Sequence, residues 1–340
     1  MRRTLISGNN FARISNVVFS EEIDQIQYKN FDKSNHFIMH SDRRKVSYIN
    51  TKFVLSENDV IFCKTDYLPL LFQALKKINL LKNIKIISTQ SDIKITNQLL
   101  KKKPKCVSEW YAVNTYIENK FIKSIPLGIA NNFSDKNLKE EDLQNTELFF
   151  KNLEEQSLIY SNFNENTNFF IRSKLKKQVS QNKHFVISKS NKNIEEYKND
   201  LQKYNFVFCP PGNGPDTHRI WESLYSGSIP VILAKYSLPY LKYIPHLEIN
   251  SIQDFNSDFN PRIENLLNLD PLFIEWWVDL INQNKIINNS QIHVFIKQRK
   301  ISSFKLSFYI HAKFKQIRKR IYTIVYKIIK KIRSNVYKKN

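Results

Sequence analysis

The residue types best suited to chemistry are concentrated in one stretch, Phe206–Leu233, which reads FVFCPPGNGPDTHRIWESLYSGSIPVIL. It contains three of the chain's five glycines and four of its eleven prolines. Such a concentration indicates a backbone that needs conformations other residues cannot supply. An apolar run, a Gly/Pro loop, an amphipathic segment, a glycine and a second apolar run follow one another. This order predicts a strand, a loop, a helix and a strand of an α/β sheet.

The amphipathic segment predicts a helix over Asp216–Ser226, with Gly227 as its left-handed C-cap. When successive residues are placed 100° apart, the apolar side chains share one side of this helix and are expected to pack on a sheet. The other side carries an acid, a base and a guanidinium. Its members are Asp216, His218, Arg219, Glu222, Ser223 and Ser226.

The loop Pro210–Pro215 precedes this helix, and its glycines allow backbone N–H groups to approach a ligand closely. The positive end of the helix dipole favours an anion there, and Arg219 can bind phosphate oxygens with two parallel hydrogen bonds. Glu222 is unsuited to phosphate but suited to the two hydroxyls of a ribose. These features predict a pocket for a nucleoside diphosphate. The candidate donor-binding residues are Gly212, Asn213, Gly214, Asp216, His218, Arg219 and Glu222.

Each residue also has an ordinary structural explanation. Asp216 can cap the helix, Arg219 and Glu222 can form a surface pair worth about 0.2 to 0.5 kcal/mol, and His218 can be a solvated side chain. The clustered glycines favour the phosphate site. The stretch has neither the G-x-G-x-x-G pattern of dinucleotide-binding enzymes nor a Walker motif, so both of these classes are disfavoured.

The segment GNGPDTHRIWESLYSGSIPVIL resembles the signature of exostosin-like glycosyltransferases and their bacterial relatives, G-x-G-x-D-x-x-R-x-W-E-x-L-x-x-G-x-I-P-V. The runs IISTQSD, IPLGI and LIYSNFNENTN resemble the weaker parts of that pattern, and together they cover roughly residues 50–235. The resemblance implies a GT-B fold, which has two Rossmann-like α/β domains with an interdomain cleft. It further implies that Arg219 contacts the diphosphate and Glu222 the ribose or sugar, and that the first domain binds the acceptor.

Asp92 is the candidate catalytic base of the first half. Strand, helix and strand patterns from Asp59 to Ser88 predict a parallel β-α-β unit, and Asp92 follows its second strand. Ligands gather at the carboxyl ends of such strands, although a helix N-cap is the alternative explanation. We predict three regions: an acceptor-side α/β domain at 1–150, a nucleotide-sugar-binding α/β domain at 151–282, and a basic tail at 283–340.

The sequence predicts neither a metal ion nor a cofactor beyond the nucleotide sugar itself. It has no Asp-x-Asp pair, which metal-dependent GT-A enzymes use to hold a divalent ion on the diphosphate. Arg219 and the helix end can supply the neutralising charge instead. His36 and His40 lie four residues apart, but ordinary surface histidines are favoured over a metal pair.

The tail carries most of the chain's net charge of +22. Residues 280–340 contain 16 Lys and Arg and no Asp or Glu, which leaves 22 − 16 = +6 for the rest. Residues 316–340 predict a basic amphipathic helix, which favours contact of residues 305–340 with an anionic membrane surface over a helix packed on the body. A nucleic-acid partner is not expected. Without a signal peptide or a long apolar span, we expect a cytoplasmic protein, peripheral on the inner face of the membrane.

The sequence therefore predicts a glycosyltransferase that moves a sugar from a nucleotide sugar to a lipid-linked or surface-polysaccharide acceptor. A transferase of polyol phosphate or another charged group from a CDP-type donor is the alternative within the same class. A non-catalytic, basic membrane-binding protein is the alternative from another class.

Overall fold

The computed structural model of the chain describes residues 3–143, 158–188, 192–256, 263, 265–282 and 291–336. The fold divides into two units, Met1–Phe295 and Ile296–Asn340. All strands among the described residues belong to the first unit.

A sheet of seven strands occupies the first part of this unit, in the spatial order β2-β3-β1-β5-β6-β7-β8. Strand β3 pairs antiparallel with both β2 and β1. Strands β1, β5, β6, β7 and β8 are parallel to one another. The β-α-β unit expected from Asp59 onward is present, with β5 and β6 side by side. The strands are β1 (Val17–Asp24), β2 (His36–Ser41), β3 (Lys45–Asn50), β5 (Val60–Lys64), β6 (Ile84–Thr89), β7 (Val107–Ala112) and β8 (Ile122–Ser124).

A second, fully parallel sheet has five strands in the order β10-β9-β11-β12-β13. They are β9 (Ile159–Ser161), β10 (Phe185–Ile187), β11 (Phe206–Phe208), β12 (Ile229–Leu233) and β13 (Leu247–Ile249). Strand β9 has its sequence successor β10 on one side and β11 on the other. The order therefore reverses between β9 and β11, and such a switch point leaves a crevice at the carboxyl ends of the two strands.

Both faces of this second sheet are covered. Phe206 and Phe208 of β11 pack into one buried cluster, whereas Val207 between them packs into another. The cluster around Val207 also contains Phe62 and Ile87 of the first sheet. Successive strand residues point to opposite faces, so the apolar run of β11 serves two cores at once.

Two long-range pairings close the first unit. Strand β4 (Lys52–Ser56) pairs antiparallel with β14 (Gln291–Phe295), so a strand forms within the region that we assigned to the tail. The N-terminal segment forms a bridge between Leu5 and Phe273, and the Ile274 N–H donates to the Thr4 carbonyl at 3.0 Å.

Ten α-helices lie among the described residues. They are α1 (Gly8–Arg13), α2 (Gln25–Lys29), α3 (Leu68–Leu75), α4 (Asn97–Leu100), α5 (Glu140–Leu143), α6 (Phe169–Val179), α7 (Ile194–Lys203), α8 (His218–Tyr225), α9 (Ile274–Asn282) and α10 (Gln298–Val336). None of the described helices is long and apolar enough to cross a membrane.

The predicted α/β class is confirmed, since helices lie between strands of two largely parallel sheets. The GT-B arrangement stays a prediction, as do the three predicted regions, and the boundary at residue 150 lies outside the described residues. Helix α8 begins at His218 and not at Asp216, because Thr217 is extended and is the N-cap residue. The expected left-handed Gly227 is present with φ of 80°.

Candidate functional site

Two loops meet at the switch point of the second sheet, residues 162–168 after β9 and residues 210–217 after β11. The Asn168 side-chain amide joins them by donating to the Gly212 carbonyl at 2.8 Å. Gly212 has room for a methyl group, because an added Cβ would meet only the Arg172 guanidinium at 3.5 Å. Asn213 at the tip of the second loop is exposed.

Arg172 of α6 is the central side chain beneath these loops, and only 5% of it is exposed. Its Nε, Nη2 and Nη1 atoms donate to the carbonyls of Pro211, Pro210 and Asn164 at 2.9, 3.1 and 3.0 Å. An arginine has five N–H groups, so two are not used by these bonds. Among the described carboxylates, none forms an ion pair with Arg172.

Burial, followed by the charge of Arg219, lowers the pKa of Arg172 to about 10. The guanidinium remains charged at neutral pH, so a positive charge is buried beside residues 210–212 without an acidic partner among the described residues. Burying a charge in this way is unfavourable unless a counter-charge arrives. Our sequence interpretation missed Arg172, because a single arginine within an amphipathic helix carries no local signal of burial.

Asp216 does not act as the helix cap. Its Oδ2 accepts from the Leu127 N–H at 2.9 Å, and its Oδ1 accepts from the Thr217 N–H at 2.7 Å and the Tyr240 hydroxyl at 2.9 Å. The side chain is 4% exposed, and burial raises its pKa to about 6 against the opposing effect of these hydrogen bonds. Asp216 therefore anchors residues 210–217 to the turn that follows β8.

Asn114 makes a second connection between the first sheet and this loop. Its Oδ1 accepts from the Asp216 N–H at 2.9 Å, and its Nδ2 donates to the Ser91 carbonyl at 2.6 Å. A Cβ added to Gly214 would lie 2.9 Å from Asn114 Oδ1, so the glycine permits this close approach. Asp92, the predicted base, is exposed and follows Ser91 directly.

His218, the first residue of α8, is half-buried and bound to the turn after β8. Its Nδ1 lies 2.8 Å from the Gly128 carbonyl oxygen. Gly128 has φ of 74°, and a Cβ there would lie 2.1 Å from the Ile6 carbonyl, so this turn requires glycine. The carbonyl that faces His218 is therefore fixed in place.

Glu222 is buried, although we expected it on an open polar face. Its Oε1 accepts from Asn137 Nδ2 at 3.0 Å and from the Leu138 N–H at 3.3 Å. Its Oε2 accepts from the Tyr197 hydroxyl at 2.8 Å, and Arg219 Nε donates to the same hydroxyl at 3.3 Å. Residues from two other parts of the chain cover the polar side of α8, and this tertiary packing cannot be read from helical periodicity.

The charge of Glu222 affects the pKa of both Tyr197 and Arg219. Burial, then the Glu222 charge, raises the pKa of Tyr197 well above its ordinary value, so Tyr197 is a hydrogen-bond donor to Glu222. Burial works against the charge of Arg219, but Tyr197 and Glu222 outweigh it and raise the pKa of Arg219. Arg219 is thus compensated by Glu222, whereas Arg172 has no such partner among the described residues.

Helix α8 ends as the sequence predicts. The Gly227 N–H donates to the Leu224 carbonyl at 3.1 Å, and the Ser228 N–H donates to the Ser223 carbonyl at 2.9 Å. These two bonds form a Schellman motif around the left-handed glycine. The motif turns the chain directly into β12 and so fixes the position of α8 against the sheet.

No cluster of three His, Cys, Asp or Glu suited to a metal ion occurs among the described residues. His36 stacks on Tyr48 with ring centroids 4.0 Å apart, and His40 lies 3.3 Å from an Asp42 oxygen. The two histidines thus have ordinary side-chain partners.

One comparison with known proteins gives a match, and it covers the second sheet. No curated protein matches the chain. The family model described as the Exostosin GT47 domain matches residues 145–250, a range that contains β9 to β13 and helices α6 to α8. The match includes Arg172 and residues 210–222, whereas Asn114, Gly128 and Asn137 lie outside it. The predicted resemblance is confirmed: residues 145–250 match the model of an exostosin-like glycosyltransferase family.

Proposed function

We propose that the chain transfers a sugar from a nucleotide sugar to a lipid-linked or surface-polysaccharide acceptor, with the donor diphosphate held at the switch point of the second sheet. The observation that carries this proposal is the buried charge of Arg172 beneath residues 210–212, which has no acidic partner among the described residues. A diphosphate would supply this counter-charge.

The proposed donor site contains two cations and two carboxylates. Glu222 compensates Arg219, and the Asp216 carboxylate accepts from Leu127, Thr217 and Tyr240, so the charge of Arg172 remains for phosphate. Gly212 leaves space beside the Arg172 guanidinium, and Asn213 is exposed at the same loop. This charge balance supports a diphosphate site that requires no metal ion.

Glu222 is proposed to contact the ribose or the sugar. Among the described residues, Oε1 has two donors and Oε2 has one, so Oε2 can accept a further hydrogen bond. The acceptor is proposed to lie toward the carboxyl ends of the first sheet, where the Asp92 loop is joined to residues 210–217 through Asn114.

Thermal unfolding of the full chain with UDP, GDP and CMP tests the donor site. We expect one nucleotide to stabilise the protein by about 2.7 kcal/mol when present at 100 times its dissociation constant, because it binds only the folded state. A preference for CMP would favour a polyol-phosphate transferase. If none of the three raises the unfolding temperature, the chain is not a nucleotide-dependent transferase, and a binding protein is the better explanation.

We also propose that α10 binds an anionic membrane surface at the cytoplasmic face. At 100° per residue, seven of its exposed apolar side chains fall within one arc of about 80°, and basic residues flank this arc. The apolar members are Leu306, Ile310, Phe314, Ile317, Ile321, Ile324 and Ile328. Several residues of the predicted stripe and basic face, Lys319, Lys327, Lys330, Lys331, Ile332 and Arg333, lie outside the described side chains.

Vesicle sedimentation tests this membrane contact. The full chain is expected to bind vesicles that contain phosphatidylglycerol and to bind pure phosphatidylcholine weakly. The double variant Ile317→Asp/Ile321→Asp should lose binding at least tenfold, because it places charges in the apolar stripe. The control Ala312→Asp/Gln316→Asp makes the same charge change at two exposed positions of the helix outside the apolar stripe. Equal binding by the two double variants would rule out insertion of the stripe.

A further inference from the structure

The hydrogen bond between His218 and Gly128 determines which ring nitrogen is available for chemistry. A carbonyl oxygen only accepts, so the Nδ1 atom at 2.8 Å from the Gly128 oxygen must carry the hydrogen. In the neutral ring, Nε2 then has the free lone pair. The bond through Nδ1 is the one hydrogen bond that this ring makes to the described residues. Nε2 is therefore available as a base.

The position of His218 suits a base at the reacting end of the donor. It is the first residue of α8, directly after the 210–217 loop that is proposed to hold the diphosphate. Leu127 and Gly128, the residues that contact Asp216 and His218, belong to the turn after β8 of the first sheet. His218 thus lies where donor-side and acceptor-side segments are in direct contact.

We infer that His218 Nε2 is the general base that removes the proton from the acceptor hydroxyl, an inference that rests on the proposed glycosyl transfer. As Nε2 takes the proton, the hydroxyl oxygen forms a bond to the anomeric carbon of the sugar. The bond from that carbon to the phosphate oxygen breaks, and its electron pair leaves with the nucleoside diphosphate. The imidazolium then returns its proton to solvent.

The Gly128 carbonyl supports this role in two ways. It fixes the Nδ1–H form of the ring, and it stabilises the imidazolium that forms when Nε2 takes the proton. This is the arrangement by which a histidine base is held by a hydrogen-bond acceptor on its second nitrogen. Asp92, the base predicted from the sequence, is exposed on the first-sheet side and is the direct competitor for this role.

The variant His218→Asn separates the base from its structural contact. The asparagine amide can occupy the position of Nδ1 and keep the bond to Gly128, but it has no equivalent of Nε2. Nucleotide release from a panel of UDP- and GDP-linked sugars, with membrane lipids as acceptor, measures transfer by the full chain. We expect a loss of about 10²- to 10⁴-fold in His218→Asn, the usual contribution of a general base.

Two further measurements distinguish catalysis from folding and from donor binding. UDP or GDP affinity should change less than about threefold in His218→Asn, and added imidazole should partly restore transfer in His218→Ala. Transfer above one tenth of wild type in His218→Asn would overturn the inference, as would a parallel loss of nucleotide binding. A large loss in Asp92→Asn with normal transfer in His218→Asn would assign the base to Asp92. If the wild type binds no nucleotide and consumes no donor, the proposed function itself fails.

Discussion

Replacing Arg172 with Met is expected to weaken UDP or GDP binding by at least 100-fold. The change removes the buried positive charge that we propose to face the diphosphate, together with three hydrogen bonds that hold residues 210–211 and Asn164. Hydrogen bonds to charged groups contribute about 1.5 to 3 kcal/mol, and every 1.4 kcal/mol changes affinity tenfold. Isothermal titration calorimetry of the full chain measures the effect directly.

Two variants distinguish the effect of the Arg172 charge from the effect of its hydrogen-bond geometry. Arg172→Lys keeps the charge but cannot serve three carbonyls in one plane, so we expect an intermediate loss of about tenfold. Lys174→Met removes the same charge from an exposed position of the same helix and should bind nucleotide like wild type. Wild-type affinity in Arg172→Met would exclude this guanidinium from the donor site.

Replacing Glu222 with Gln is expected to lower the free energy of unfolding by about 3 kcal/mol. Its carboxylate accepts hydrogen bonds from Asn137, Leu138 and Tyr197 and is 2% exposed. Removing one member of a buried charged group typically costs 3 to 5 kcal/mol, because the remaining partner, here Arg219, loses its counter-charge. Urea unfolding at neutral pH gives the value.

A double-mutant cycle with Tyr197→Phe identifies the contact responsible. The two changes should be non-additive by about 1 to 3 kcal/mol, since both alter the hydrogen bond between Tyr197 and Glu222. Glu195→Gln, at an exposed position of α7, should change stability by less than about 0.5 kcal/mol. Additive effects of Glu222→Gln and Tyr197→Phe would show that Glu222 is held mainly by Asn137 and Leu138.

The parts of the fold that depend on local sequence could be predicted. Strand β11, helix α8 and strand β12 follow one another in the order expected for Phe206–Leu233, because apolar runs and turn residues mark their ends. Gly227 was predicted as a C-cap for the same reason. These signals act within a few residues, so one sequence is enough to identify them.

The remainder depends on contacts between distant residues. The start of α8 was wrong by two residues, because the Asp216 carboxylate binds Leu127 and Tyr240 and does not cap the helix. The burial of Arg172 could not be predicted, because it depends on contacts with Pro210 and Pro211, which are distant in the sequence. The pairing of β4 with β14 could not be predicted either, since nothing local relates two strands more than 230 residues apart.

The bridge between Leu5 and Phe273 also constrains when this unit can be completed during synthesis on the ribosome. Translation at about 5 to 20 residues per second needs roughly 15 to 50 seconds to pass from one residue to the other. Throughout that time Leu5 lacks its bridge partner Phe273. The order of translation, and not local helix or strand preference, therefore sets the moment at which the two ends of the unit close.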